Sequence, residues 1–446
     1  MNAKQIGVAA LAVATALAVG APVPAHAVRY FGHLGTTVYG YSTVVEPAET
    51  IADTYVPLRF RVDQGTPGGT IGFVASSRLY KDVGGEGDVN GRVYYGYLRY
   101  NVPGDWLEVD LGRQYVAAGV TAATLDGARA VIKRGKKWRA DVYGGSTVVP
   151  DYGPLRRFSR AALDDEPYDP ADRGYWLDYY TYGAHAGTNV KEVWSGMVFP
   201  TWVGVSGAIS KKEGHRSDTT LGLEAVEDLR ADLKASQEVH YDLIGRRVDY
   251  QYYSARYRPW KRLRTYVDYR WQEPRIDYAS IFSVFAREGR HRWRVGGQYE
   301  ITKTLEPFAG YSMSIRGDHL SHFAQAGLAQ NYEYVYLRYG GLYGVGNRVE
   351  SGGEEIGGFA AAEFPKPIPA FERLSAGISG NYIRYKGYGT PAPTWEDARD
   401  VSLIDLHGRV KVWRTFETTL GTEALRNADR KYEIRAYLQA SASISR

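Results

Sequence analysis

The stretch KYEIRAYLQASASIS, residues 431–445, decides the fold. Tyr432, Ile434, Ala436, Leu438, Ala440, Ala442 and Ile444 alternate with Lys431, Glu433, Arg435, Tyr437, Gln439, Ser441, Ser443 and Ser445. A period of two puts one set on each face of a strand. Strands of water-soluble sheets average about 5–6 residues, whereas a tilted strand that crosses a bilayer needs about 9–11. An alternation held over the whole stretch predicts a strand with lipid on one side and water on the other.

The opposite end says which membrane. Met1–Ala27 carries Lys4, a small apolar run from Ile6 to Gly20, and Ala25-His26-Ala27. A charged start, a short apolar middle and an A-x-A site read as a cleaved secretory signal peptide, residues 1–27. Pro22 and Pro24 argue against a membrane helix there. No later stretch reaches 18 consecutive apolar residues, so helical spans are not expected. A soluble chain of 446 residues would divide into two or three domains. No linker composition interrupts the chain after Val28, and one large sheet over 28–446 accounts for that uniformity.

Composition agrees. There are 37 Tyr but 13 Phe and 3 Met, and a Tyr ring tolerates lipid while its hydroxyl reaches water, which suits both membrane interfaces. The absence of cysteine excludes disulfides, thiolate metal sites, an N-terminal lipid anchor and covalent haem attachment through C-x-x-C-H. A formal net charge of +5 is too small to argue for nucleic acid as a partner.

Alternating runs recur along the chain. Leu229, Ala231, Leu233, Ala235, Val239, Tyr241 and Leu243 share one face of an apparent single strand, and Arg230, Asp232, Lys234, Ser236, Glu238, His240 and Asp242 the other. The same pattern sets Val267 and Trp271 against Arg264, Asp268 and Arg270, and Trp293 and Val295 against Arg292, Arg294 and Glu300. Charges confined to one face at period two fit strands and not helices. The fold class expected is therefore all-β: a single closed antiparallel transmembrane barrel of roughly 22 strands, within 18–24, with short periplasmic turns and long extracellular loops. Arg134-Gly135-Lys136, Pro259-Trp260-Lys261 and Thr302-Lys303 are turns of the short class, and Val149–Trp176, Gln272–Gly289 and Gly387–Arg399 loops of the long one. Both termini are then periplasmic. A propeller would instead show a repeat of about 40–50 residues.

The candidate pore-lining set is Arg230, Asp232, Lys234, Arg264, Asp268, Arg270, Arg292, Arg294 and Glu300. A ladder of Arg in a pore selects anions; interleaved opposite charges could equally pair across strands and stiffen a wet wall. A second candidate is a run of small residues, Val116, Ala117, Ala118, Gly119, Val120, Thr121, Ala122, Ala123 and Thr124, which would suit a constriction loop folded into the lumen or an ordinary exposed loop.

Around that run, Leu111-Gly112-Arg113-Gln114 and Asp126-Gly127-Ala128-Arg129 resemble outer-membrane porins of the substrate-export and uncharacterised deltaproteobacterial kinds, which carry LGRQ, an inward loop, then DG-x-R. Tyr257-Arg258-Pro259, Tyr269-Arg270 and Ser280-Ile281-Phe282 resemble the same barrels. The resemblance implies a porin-like fold in the Gram-negative outer membrane and no particular substrate. It also implies contact with outer-membrane lipids, lipopolysaccharide and the barrel-assembly machinery, although the Ile444-Ser445-Arg446 end lacks the aromatic residue with which such barrels usually finish. Parity places Arg113 on the lipid face with Leu111, unless a bulge follows Gly112 or the strand has ended.

Other chemistry is thin. No catalytic motif or paired metal-ligand His spacing occurs among the nine His, so neither an enzyme nor a cofactor is expected. Asp82, Glu86 and Asp88 lie in a Gly-rich loop that matches no calcium-loop spacing. The loop with Arg156, Arg157, Arg160, Asp164, Asp165 and Glu166 suits a surface loop, a lumen plug or a lipopolysaccharide contact. Two functions follow: a channel for small polar or anionic solutes, or a sheath around a periplasmic or extracellular multihaem cytochrome in an electron conduit.

Overall fold

The computed structural model describes residues 28–42, 50–82, 90–135, 137–148, 179–193, 201–212, 215–273, 289–346, 353–364, 374–386, 399–413, 416–426 and 433–445. Residues 1–27, where the sequence places the signal peptide, lie outside them, as do Glu86, Asp88 and the charged 151–176 loop.

The described residues are almost entirely strand. In order they are β1 (Val28–Ser42), β2 (Thr50–Thr66), β3 (Gly69–Asp82), β4 (Asn90–Asn101), β5 (Leu107–Ala118), β6 (Thr121–Arg134), β7 (Trp138–Val148) and β8 (Tyr179–Asn189). Next come β9 (Thr201–Lys212), β10 (His215–Arg230), β11 (Leu233–Asp242), β12 (Arg247–Trp260), β13 (Leu263–Gln272), β14 (Arg290–Tyr299) and β15 (Leu305–Arg316). The last are β16 (His319–Asn331), β17 (Tyr336–Val345), β18 (Glu354–Phe364), β19 (Leu374–Tyr385), β20 (Arg399–Trp413), β21 (Phe416–Arg426) and β22 (Glu433–Ser445). A four-residue helix, Val190–Val193, follows β8.

All these strands belong to one 22-stranded sheet, in which each pairs antiparallel with the strand before and after it in sequence. The last pairs with the first: β22 runs beside β1 from Phe31 opposite Ser445 to Tyr41 opposite Arg435. The ladder of backbone hydrogen bonds thus returns to its start.

The two faces of this wall invert the polarity of a soluble protein. Leu98, Leu111, Val142, Val205, Leu223, Val295, Ile356, Ile404, Leu420 and Ile434 are all at least half exposed on the outer face. Asp110, Asp141, His185, Thr220, His240, Asp268 and Glu355 are buried on the inner one. Buried polar groups are stable only when hydrogen-bonded, and broad exposed apolar area needs a non-aqueous solvent. A wall of this kind suits lipid outside and water within.

Two readings of the sequence need correction. The apparent strand 229–243 is broken by a turn at Ala231-Asp232, so Leu229 and Arg230 finish β10 and β11 begins at Leu233. A two-residue turn keeps the alternation in phase, which is why no break shows in the sequence. Arg113 is neither after a bulge nor past the strand end. It stays on the outer face in β5, opposite Asp126 of β6, whose carboxylate accepts from its Nε and Nη2, both at 2.7 Å.

Leu438 lies outward and Gln439 inward on β22, so the two faces can be compared at neighbouring residues. Leu438→Arg should cost about 2–4 kcal/mol near the bilayer midplane, and Gln439→Arg should be nearly neutral. Urea unfolding of the refolded protein in lipid vesicles measures both, and equal losses would mean that the faces are misassigned.

Candidate functional site

The run 116–124 forms a hairpin rather than a loop. Val116–Ala118 end β5, Gly119-Val120 make the turn, and Thr121–Thr124 begin β6. The sequence missed this because small residues in an unbroken alternation look the same in a loop and in a strand bent away from its neighbour. Gly119 has φ of 55°, a left-handed conformation that a tight hairpin turn requires and that glycine takes at least cost.

This hairpin turns into the lumen. Val120 N–H donates to Ser206 Oγ of β9 at 3.2 Å. A Cβ on Gly222 of β10 would come within 2.4 Å of Val120 Cγ1, and one on Gly119 within 3.2 Å of the His185 ring on β8. The tip therefore lies across the inner face of β8–β10. Its inward side is dry: Val116, Ala118, Leu125 and Tyr143 form a buried cluster, and the Tyr143 hydroxyl donates to Thr121 Oγ1 at 2.5 Å. Gly112 supplies the bend. Its φ of 125° and the 2.5 Å that would separate an added Cβ from the Gly96 carbonyl oxygen leave room for no side chain.

A charged network lies beneath the hairpin. Asp141, 1 % exposed, accepts from Arg129 and from Arg139 (2.8 Å), with His185 Nδ1 at 3.7 Å. His185 Nε2 meets Glu224 Oε1 at 2.7 Å, and Trp202 Nε1 donates to the same oxygen at 3.0 Å. Next to it, Arg99 makes a two-pronged contact with Asp110 at 2.8 and 3.0 Å. Bidentate pairing satisfies both groups in fixed geometry, so this sector is rigid.

The second feature is a cavity of about 1650 Å³ on the inner wall from β10 to β17. Seven candidate pore-lining residues border it: Arg230, Asp232, Lys234, Arg264, Asp268, Arg294 and Glu300. Arg270 and Arg292 do not. They face each other across β13 and β14 nearer the long 274–288 connection, and Arg270 stacks 5.3 Å from the Tyr250 ring. Arg230 needs a further correction, because a bulge between Asp228 and Arg230 aligns it with Leu233 and Tyr257 in the outward row. It sits at the rim over the Tyr257 ring (5.6 Å) and is paired with Asp232 (3.1 Å) in the turn.

Ion pairs within the cavity are partial. Arg264 meets Glu306 at 2.6 Å, Arg294 meets Asp268 at 2.8 Å, and Lys234 lies 3.8 Å from Asp228. The sequence reading missed Arg256, Glu306 and Arg338. Arg338 lies over the rings of Phe308 (4.7 Å) and Phe359 (5.8 Å). Following the alternation Tyr336-Arg338-Gly340 through β17 would have placed it on the inner face. Among the described residues the cavity has eight basic side chains against five acidic ones, an excess of three positive charges. No group of three or more His, Cys, Asp or Glu that could hold a metal ion occurs among the described residues.

No protein-family model matches the chain, and no curated protein matches it. Among solved structures, the ferric enterobactin receptor PfeA of Pseudomonas aeruginosa superposes with a TM-score of 0.58 at 9% identity, covering 93% of this chain and 80% of that one. The fold is that of an outer-membrane β-barrel. OccAB4 of Acinetobacter baumannii aligns at a TM-score of 0.47 and 9% identity over 95% of this chain and 99% of its own. The outer-membrane protein OpdK of P. aeruginosa aligns at 0.44 and 10%, over 94% and 99%.

Asp141 is the shared acceptor of the rigid sector. Asp141→Asn removes its charge and should lower stability by roughly 3 kcal/mol, because the neighbouring cations lose their counter-charge while partly buried. Denaturant titration of the folded barrel checks this; a loss within experimental error would show that the network contributes nothing.

Proposed function

We propose that the chain is an outer-membrane channel for passive or weakly selective diffusion of small polar or anionic solutes. The observation that carries this is the positively biased cavity on the inner wall, opposite in polarity to the apolar outer face. Charges lining a narrow passage with low-dielectric walls act on ions before bulk screening does. Barrel strands cross with long loops at one end, so 149–178, 274–288 and 387–398 are taken as extracellular, the turns at 231–232 and 261–262 as periplasmic, and both termini as periplasmic. A cleaved signal at 1–27, assembly by the outer-membrane machinery, contact with lipopolysaccharide and the absence of catalysis belong to the same reading.

The hairpin supplies the constriction. Its tip is seated on glycine and serine at Gly222 and Ser206, so a larger side chain there should push it off the wall. Gly222→Leu should change single-channel conductance in a planar bilayer, and an unchanged conductance would exclude the hairpin from the ion path. The rival reading is a sheath around a multihaem cytochrome. It needs a lumen clear enough for a folded partner, and the inward hairpin narrows that space. A purified barrel with no conductance would favour the sheath.

Selectivity is testable in the same bilayer. Arg264→Glu combined with Arg294→Glu reverses two charges and leaves Glu306 and Asp268 without their arginine partners. Reversal potentials in a salt gradient should show a mild anion preference in the natural protein and a cation preference in the variant. Both should fade at about 1 M salt, where the Debye length is roughly 3 Å. Cation preference in the natural protein, or no change in the variant, would remove this cavity as the filter.

A further inference from the structure

The wall is incomplete between β4 and β5. Their pairing spans six positions, from Gly96 opposite Arg113 to Asn101 opposite Glu108. Every other neighbouring pair in the sheet has nine or more. Above Gly96 the two strands part. β4 continues to Asn90 paired with β3 alone, while β5 continues to Ala118 paired with β6 alone and follows the hairpin into the lumen.

A parted wall leaves strand-edge backbone groups without a ladder partner, which the hydrocarbon of a bilayer does not tolerate. The position of the seam answers this. The last paired position, Gly96 opposite Arg113, lies two residues beyond the exposed apolar pair Leu98 and Leu111, and there the outward Arg113–Asp126 ion pair stands. Arg113 Nη1 also donates to the freed Val93 carbonyl at 3.2 Å. An outward ion pair is costly in hydrocarbon and suits the headgroup level, where water and polar groups can satisfy the remaining edge.

The rim of the seam has two characters. Outside stand Val93, Leu98, Leu111 and Tyr115, each 37–57 % exposed. Inside stand Tyr95 and Tyr97, their ring centroids 6.2 Å apart, with Arg99 Nη2 donating to the Tyr97 hydroxyl at 3.2 Å. We infer that this seam is a lateral opening, through which an amphiphile held at the outer bilayer interface reaches the lumen. The ligand it fits has an acyl or aromatic body, which slides between apolar rim residues, and a small polar head that hydrogen-bonds to the tyrosine hydroxyls. This adds a membrane-facing route to the axial channel and does not depend on the axial channel conducting.

The chain has no cysteine, so single reporters are clean. Tyr95→Cys puts a thiol on the lumen face behind the seam, and Gln439→Cys puts an exposed one behind a wall paired on both sides. Each is refolded as the full chain into phosphatidylcholine vesicles containing maleimide-headgroup phosphatidylethanolamine, and separately exposed to a water-soluble maleimide. Tyr95→Cys should be labelled by the lipid-borne reagent and Gln439→Cys should not, while both react with the soluble one. Gly96→Trp added to Tyr95→Cys should abolish the lipid-borne labelling and keep the soluble one, because Gly96 lies at the foot of the seam, where an added Cβ would meet Val93 Cγ1 of the rim at 3.8 Å without a clash. If that variant does not fold, Gly96→Leu replaces it and should reduce the labelling. Equal lipid-borne labelling of the two thiols, or labelling untouched by filling the seam, overturns the inference. Labelling without ion conductance would leave the lateral opening standing and reject the axial channel.

Discussion

Everything in this structure depends on the pairing of β22 with β1. A peptide group that meets lipid unpaired costs several kcal/mol, so a sheet in a membrane cannot have edges along its spanning length. Closing the ladder removes them. Once the wall is closed, each residue has two possible environments, set by its parity. The exposed leucines and isoleucines outside and the buried aspartates inside follow from that single condition.

The hairpin of β5 and β6 departs from this regular wall, and glycine permits the departure. Gly112 and Gly119 accept conformations that a side chain resists. The tip then gains a hydrogen bond to Ser206 and a dry cluster around Val116, Leu125 and Tyr143. The bend removes pairing from the neighbouring β4 edge, so the inward hairpin and the seam beside it have one cause. Arg113, which parity alone left stranded on the outer face, is where that loss is made good: it binds Asp126 and caps the Val93 carbonyl.

The charges lining the cavity differ in how far they are neutralised. Arg264 and Arg294 each have a carboxylate partner, which damps their field, whereas Arg338 lies over two aromatic rings and has no ion pair among the described residues. Cations on the inner wall therefore divide into those paired with a carboxylate and those stacked on aromatic rings.

By itself the sequence determined the all-β class and the face on which most residues lie, because a period of two is a local property that lipid and water enforce residue by residue. Leu438 outward, Gln439 inward, and Asp268 and Arg294 on a shared wet face were all legible that way. Three features were decided only by the tertiary structure. The turn at Ala231-Asp232 was hidden because it preserves the alternation. Arg230 moved to the rim because a bulge shifts the register by a residue, and a bulge depends on the partner strand. The hairpin's path into the lumen depends on Ser206 and Gly222, more than eighty residues away in the chain, so no local reading of Val116–Thr124 could tell a strand that stays in the wall from one that leaves it.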